Sequence, residues 1–413
     1  MTSLSQRGHA LTTSSPMAPY IHEHFKRLAS PWDPNHRPDG YIALSIAENK
    51  QIAPSVLTCL DRYRDVPAGV LGYDDTFKAE AFRAHLAHFM GRTFVGNKVD
   101  ADRLIVLAGA GCVLENLFYT IADPGDGVLV PLPSYAGFWA DLETRDNLTI
   151  IPVDCSHRDN YDPTPELLDE ALAKATIPVR ALLFTSPNNP MGRTYSREEV
   201  QAVLDWAETK QIHVIFDEIY ALSVFGDRAF VSAASLRTDL GKNVHIVWGF
   251  SKDFGASGLR CGVLLSHNDE VLHAVSALSY WATCSGHTQY LLSKFVSDHE
   301  VIDHIILSMK TGLKQAYQQT TDALNHAKIP YIPANSGIFL ICDLRSYLDE
   351  PSWEGERRLW HRILDETNVN LTPGEYCHFS EPGFFRFCYM AEPDRAVATA
   401  IDRLDHMLNK KKT

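Results

Sequence analysis

The sequence predicts an α/β protein: a largely parallel sheet covered by helices on both faces, followed by a smaller α/β unit. Three observations predict it. Five apolar runs bounded by turn residues recur at 127–133 (GVLVPLP), 179–187 (VRALLFTSP), 212–218 (IHVIFDE), 244–251 (VHIVWGFS) and 259–266 (LRCGVLLS), the pattern of strands buried on both faces. Helix-like stretches lie between them, such as 197–210 (REEVQAVLDWAETK), where Ser196 followed three residues later by Glu199 reads as a capping box. Beyond about residue 268 a long helical stretch leads to new short strand candidates in YIPANSGIFLICDL, NVNLTPG and FFRFCYM. Alternation of strand and helix favours parallel pairing, because a parallel connection needs a crossover.

Taken in order, residues 1–50 form an N-terminal arm, rich in proline, histidine and asparagine, expected as extended chain and turns and contributing to the smaller unit. Residues 51–300 form the large domain and 301–413 the small C-terminal domain. With 413 residues, 45% of them hydrophobic, the chain has ample material for a large core. A formal charge of -13 argues against nucleic acid or an anionic membrane as the main partner. The eight cysteines are scattered without metal-ligand spacing, which suits reduced, buried thiols. The N-terminus has no apolar signal-like region, so a soluble cytoplasmic protein is expected, with NKKKT as a solvated tail.

Ligand sites of such sheets form at the C-terminal ends of the strands. The run IHVIF ends in DEIY, placing Asp217 and Tyr220 there; the carboxylate serves either a protonated ring nitrogen or the cap of a following helix. ALLFT ends in SPNNPMG, where Asn188 and Asn189 are turn residues or a ligand's amide partners. After LIVL, the small residues Gly109, Ala110, Gly111 and Cys112 open an amphipathic helix whose first N–H groups suit an anion, although neither G-x-G-x-x-G nor a P-loop is present. Tyr135 stacks on a flat ring or plugs the core. In WGFSKDFGASGLRCG, Lys252 follows Ser251 and precedes Arg260 by eight residues; serine and arginine hold phosphates, and a desolvated lysine near cations attacks carbonyls. A phosphate, a pyridinium nitrogen, a phenolic oxygen and an aldehyde are together provided for, which describes pyridoxal 5'-phosphate.

These segments resemble the pyridoxal-phosphate-dependent fold-type I enzymes of the class I/II aminotransferase superfamily, and its 1-aminocyclopropane-1-carboxylate synthase branch in particular. The likeness covers about residues 20–405 and rests on SIAENK (45–50), GYDDTFKAEAFRAHLAHFM (72–90), ADPGDGVLVPLPSYAGF, SPNNPMGR, FDEIY, SKDFGASGLRCG and EPGFFRFCY, in the family's order. It implies a seven-stranded, mainly parallel sheet. It also implies that Lys252 carries the cofactor covalently and acts as base at the substrate α-carbon, that Asp217 keeps the ring nitrogen protonated, and that Tyr220 and Asn189 bind the ring oxygen. By the same likeness Gly111 and Cys112 N–H groups, Ser251 and Arg260 hold the phosphate, Tyr135 stacks on the ring, and Arg386, with Asn189 beside it, grips the α-carboxylate. Glu48 is a substrate-side candidate or a structural partner of a turn. The family's homodimers share active sites, so Tyr73 is expected at a neighbour's phosphate as a further catalytic residue, with Thr288 or Gln289 near the interface.

Four departures stand out: Phe250 preceded by Gly249 where a hydroxyl is common, Cys112 in place of threonine, Ser134 before Tyr135, and Lys50 where the motif has glutamine. The expectation is a carbon–sulfur lyase of specialised metabolism, cleaving an S-substituted cysteine conjugate or S-adenosylmethionine. An aminotransferase is the alternative, and a non-catalytic scaffold is disfavoured because Lys252 and its expected ring partners are all present.

Overall fold

The computed structural model describes residues 3–73, 79–156 and 161–409. Within the 72–90 segment, residues 74–78 lie outside the described residues, as do 410–413 of the basic tail. Among the described residues thirteen strands follow in chain order: β1 Ile42–Ala43, β2 Leu104–Leu107, β3 Gly127–Leu132, β4 Thr149–Asp154, β5 Val179–Thr185, β6 His213–Asp217, β7 Val244–Gly249, β8 Gly262–Ser266, β9 Tyr331–Ile332, β10 Leu340–Asp343, β11 Val369–Asn370, β12 Thr372–Pro373 and β13 Phe384–Phe387.

The central sheet has seven strands in the order β2-β8-β7-β6-β5-β3-β4, all parallel except β8, which runs antiparallel to both neighbours. Alternation within its apolar runs explains why they are continuous. On β5, Leu182 and Phe184 enter one core and Ala181 and Leu183 the other, so both faces of the strand are buried. The two cores are distinct in content: the first also takes Phe216 and Trp248, the second Ile215 and Val247. Each fully buried side chain of this size is worth about 1.5–3 kcal/mol. Edge strand β4 is absent from the sequence expectation because its burial alternates and Pro152 interrupts it, a residue tolerated where one side needs no ladder bond.

The capping box forms as read: Ser196 Oγ accepts from Glu199 N at 3.2 Å, and Ser196 N donates to Glu199 Oε2 at 2.5 Å, opening the helix Arg197–Lys210. The long helical stretch is instead three helices, Asp269–Ala282, Gly286–Ser297 and His299–His326, each begun by a capping side chain, Asn268, Ser285 and Asp298. Polar caps spaced within an otherwise helical pattern are where the chain restarts.

The N-terminal segment also differs from the expectation of extended chain, holding the helices Gln6–Thr13 and Pro19–Arg27. Ser5 caps the first and Pro19 opens the second. Past them, β1 pairs in parallel with β11. Arg27 reaches Asp365 at 2.7 Å and Asn368 at 3.0 Å, and Asn370 Nδ2 donates to Tyr20 O at 2.9 Å. Alongside stands the antiparallel sheet β12-β13-β10-β9. Among the described residues no helix is long and apolar enough to cross a membrane.

Candidate active site

A cavity of about 260 Å³ opens at the C-terminal ends of the parallel strands. β6 delivers Asp217 to its floor; the residue is buried, pairs in register with Thr185 of β5 and accepts from Ile219 N at 3.2 Å. Burial pushes its carboxyl up to about 7, Asp141 adding to the rise and Lys252 opposing it. Such a group takes its charge readily once a cation is placed beside it. Tyr220, in the turn after β6, is buried with its ring edge-on to Phe339 at 5.3 Å. After β3, Tyr135 lies over Gly137, where a Cβ would stand 2.5 Å from the ring, and meets Phe138 edge-on at 5.2 Å. Glycine is needed there for the tyrosine to lie flat along the cavity wall.

The other end is built for an anion. The helix Ala110–Ile121 starts after Gly109 with no side-chain cap, leaving the first N–H groups, those of Gly111 and Cys112 among them, for another acceptor. Gly109 has φ +99°, and a Cβ there would run into the Arg260 guanidinium. Arg260 enters from just before the antiparallel strand β8, donating to Ser257 O at 3.1 Å and Ala108 O at 3.3 Å, with no carboxylate partner among the described residues. Ser251 and Ser257 also line the cavity. The Cys112 side chain turns away, its thiol 3.7 Å from Ala282 O, so this residue offers its backbone alone.

Lys252 projects from the short helix Phe250–Asp253, and its Nζ donates to Ala47 O at 2.7 Å. Burial holds its proton affinity below the usual lysine range, with Arg386 contributing in the same direction and Glu48 opposing. Arg386, on β13, is 2% exposed; it donates to Asn189 Oδ1 at 3.0 Å, Ser45 O at 2.9 Å and Thr372 Oγ1 at 3.2 Å, while its Nε has no acceptor. Among the described residues no carboxylate pairs with it. A guanidinium buried among neutral acceptors, with one donor unmet, is prepared for an anion.

The single chain brings Lys252, Asp217, Tyr220, Asn189, Tyr135, Gly111, Ser251 and Arg260 to one cavity. Glu48 is not in that lining; it stands next to Ala47 and 4.0 Å from Lys50 Nζ, which also lies 3.6 Å from Glu392. Tyr73 is 79% exposed and outside the cavity of its own chain. Thr288 and Gln289 are buried in the first turn of the helix Gly286–Ser297. Sequence reading did not find Ser45, Ala47 and Thr372, whose signal is a backbone carbonyl or a lone hydroxyl far away in the chain. Nor did it find Asp141 and Ser257, both of which line the cavity. Ser257, six residues past Ser251 in the same glycine-containing loop, was within reach of that reading.

The model of the family aminotransferase class I and II matches residues 45–404. The chain belongs to this family. A 1-aminocyclopropane-1-carboxylate synthase of Glycine max is 34% identical over 404 residues, covering 93% of this chain and 83% of that protein. The 1-aminocyclopropane-1-carboxylate synthase-like protein 1 of Arabidopsis thaliana is 31% identical over 405 residues, covering 94% and 82%. The fold is that of aspartate aminotransferase from Thermus thermophilus with maleate, at a TM-score of 0.80 and 21% identity, covering 98% of this chain and 100% of that one. The chain is thus a fold-type I enzyme of the 1-aminocyclopropane-1-carboxylate synthase-like branch, and its cofactor is pyridoxal 5'-phosphate. The cavity fits that group: the uncapped helix start and the Gly109–Arg260 cradle suit its phosphate, Tyr135 its ring face, Asp217 its nitrogen and Lys252 its aldehyde.

Proposed function

We propose that this protein is a carbon–sulfur lyase acting on an L-amino acid with sulfur on its β- or γ-carbon, working as a homodimer with shared active sites. The observation that carries the reading is the placement of the segment 45–49 over Lys252. The Nζ hydrogen bond to Ala47 O leaves Glu48 as the next residue along, its charge opposing the lowered proton affinity of Lys252; on this reading Glu48 faces the outer part of a substrate side chain. Kinship with proteins named 1-aminocyclopropane-1-carboxylate synthases over most of the chain supports it.

When bound, pyridoxal 5'-phosphate supplies an electron sink for a carbanion at the substrate α-carbon. The chain's residues do the rest. Arg386 binds the α-carboxylate, using its unneutralised charge and unpartnered Nε. Lys252 Nζ, whose lowered proton affinity favours the free amine, takes the α-proton once displaced from the cofactor. Asp217 holds the ring-nitrogen proton, Tyr220 and Asn189 bind the ring oxygen, and Tyr135 covers one ring face. Ser251, Arg260 and the Gly111 and Cys112 N–H groups hold the phosphate, joined by Tyr73 from the neighbouring subunit. The backbone donors and Ser257 offset the hydroxyls lost at Cys112 and Phe250. The sulfur then leaves with its bonding electrons. A cysteine conjugate yields a thiol and, after hydrolysis of the three-carbon remainder, pyruvate and ammonia; S-adenosylmethionine yields the cyclopropane amino acid.

Aminotransferase activity is the second reading, favoured by the matched family model. The two separate in one assay. Loaded protein is incubated with a cysteine S-conjugate or S-adenosylmethionine without a 2-keto acid, and pyruvate, ammonia and 1-aminocyclopropane-1-carboxylate are followed. Release of either product set is expected; amino transfer that requires a 2-keto acid and frees no ammonia contradicts the lyase reading.

A further inference from the structure

Asp253 follows Lys252 and is fully buried, yet it does not line the cavity. Three donors converge on its carboxylate: Ser223 Oγ at 2.6 Å from Oδ1, and Trp248 Nε1 at 3.0 Å and Leu222 N at 3.2 Å from Oδ2. A buried carboxylate is costly unless its oxygens are satisfied, and here two oxygens meet three donors. Leu222 and Ser223 belong to the turn begun by Tyr220, whose carbonyl accepts from Ser223 N at 2.9 Å. The connection continues outward. Ser223 O accepts from Gly337 N at 2.7 Å, Gly337 O accepts from Tyr389 OH at 3.2 Å, and Val224 bridges to Ser336. Tyr389 stands three residues beyond Arg386, just past the end of β13.

A line of short contacts therefore runs from the short helix carrying Lys252, through Asp253, to the turn carrying Tyr220 and on to the chain just past the strand carrying Arg386. We infer that Asp253 is a positioning residue that sets where Lys252 stands relative to Tyr220 and Arg386. It touches neither cofactor nor substrate; it acts by fixing the Lys252 helix, the Tyr220 turn and the small sheet in one register. Small displacements matter at such a site, because proton transfer needs the acceptor within hydrogen-bond reach of the proton. Trp248 strengthens the arrangement, since its indole N–H holds one carboxylate oxygen while its ring packs edge-on to Phe250 at 4.8 Å and Phe254 at 6.3 Å.

The inference rests on the assignment of Lys252 as the cofactor-bearing lysine, and the test keeps the two apart. Protein carrying Asp253→Ala, Asp253→Asn or Ser223→Ala is loaded with pyridoxal 5'-phosphate. The pH midpoint of the bound cofactor's absorbance is then measured beside the melting temperature. Alanine is expected to move the midpoint by about one unit, the scale of a modest change in a charged group's surroundings. Asparagine, which keeps an acceptor for Trp248 while the Ser223 hydroxyl turns to accept, is expected to restore it. Ser223→Ala, which removes one hydrogen bond and leaves the core intact, is expected to shift the midpoint in the same direction by less. A folded alanine variant that loses melting temperature but keeps the wild-type midpoint overturns the inference. If the alanine variant does not fold, an unchanged midpoint in Ser223→Ala does so instead. Lys252→Ala that retains the covalent band sinks the lysine assignment, whatever Asp253 does.

Discussion

The Gly109–Arg260 end of the cavity and the 45–50 segment beside Lys252 are built by opposite means. At the Gly109–Arg260 end the partners come from strand ends and helix starts of one rigid sheet, and backbone fixes them: a left-handed Gly109, an uncapped helix and an arginine laid against the glycine. In the 45–50 segment, Glu48 and Lys50 are 39% and 43% exposed in their side chains and share one contact of 4.0 Å, and Arg386, proposed above to bind the substrate, is held by residues far away in the chain, Ser45 and Asn189. On the proposed reading, the cofactor is held by backbone geometry that tolerates little change, whereas the choice of substrate falls to exposed side chains that can change at little structural cost.

Substitutions at the two ends should therefore fail in different ways. The largest effect is expected from Lys252→Ala: loss of the covalent cofactor band, and a fall in turnover of roughly 10²–10⁴-fold or more, the contribution of a positioned base, read by absorbance and product assay. Arg386→Leu comes next. Truncating one member of a buried charged pair costs about 2–5 kcal/mol, so kcat/KM for the amino acid identified by the product assay should drop at least about 30-fold, with the cofactor spectrum unchanged. If the spectrum collapses instead, the division between the two ends is wrong.

Asp217→Asn probes the floor through pH. Burial raises Asp217 to about 7 in the folded, unloaded protein, above the unfolded value near 3.9, so the folded state holds the extra proton between those values. The stability contributed by this group is therefore complete below about 4 and lost as pH rises through about 7. Unloaded Asp217→Asn should gain melting temperature relative to wild type between pH 5 and 8. With cofactor bound, wild type should regain the advantage, because the ring nitrogen supplies the missing cation. Gly109→Ala should weaken cofactor affinity about tenfold, since backbone strain at positive φ and a displaced Arg260 cost on the order of 1–3 kcal/mol; equilibrium dialysis reads it. The smallest effect is expected from Lys50→Gln, a few-fold change in KM that differs between a sulfonium and a neutral thioether substrate.

The same contrast governs what the sequence made legible. Asp217, Asn189, Tyr220 and Lys252 could be read because each ends an apolar run, and the run itself marks the strand that aims it. The capping box at Ser196 and Glu199 was readable for the same local reason. Edge strand β4 was not, because Pro152 and half-exposure mask its period, nor were the N-terminal helices, the second of which is held partly by contacts with residues 365–370. The carbonyls of Ser45 and Ala47 left no trace either, since a backbone acceptor has no residue signature, and Asp253 was visible only as the neighbour of a lysine.

On the proposed reading one lysine, Lys252 in the short helix after β7, bears the cofactor. Borohydride reduction of the protein loaded with pyridoxal 5'-phosphate, followed by peptide mass mapping, should place a single pyridoxyl-phosphate adduct on Lys252. An adduct on another lysine with Lys252 unmodified, or no adduct at saturating cofactor, would contradict it.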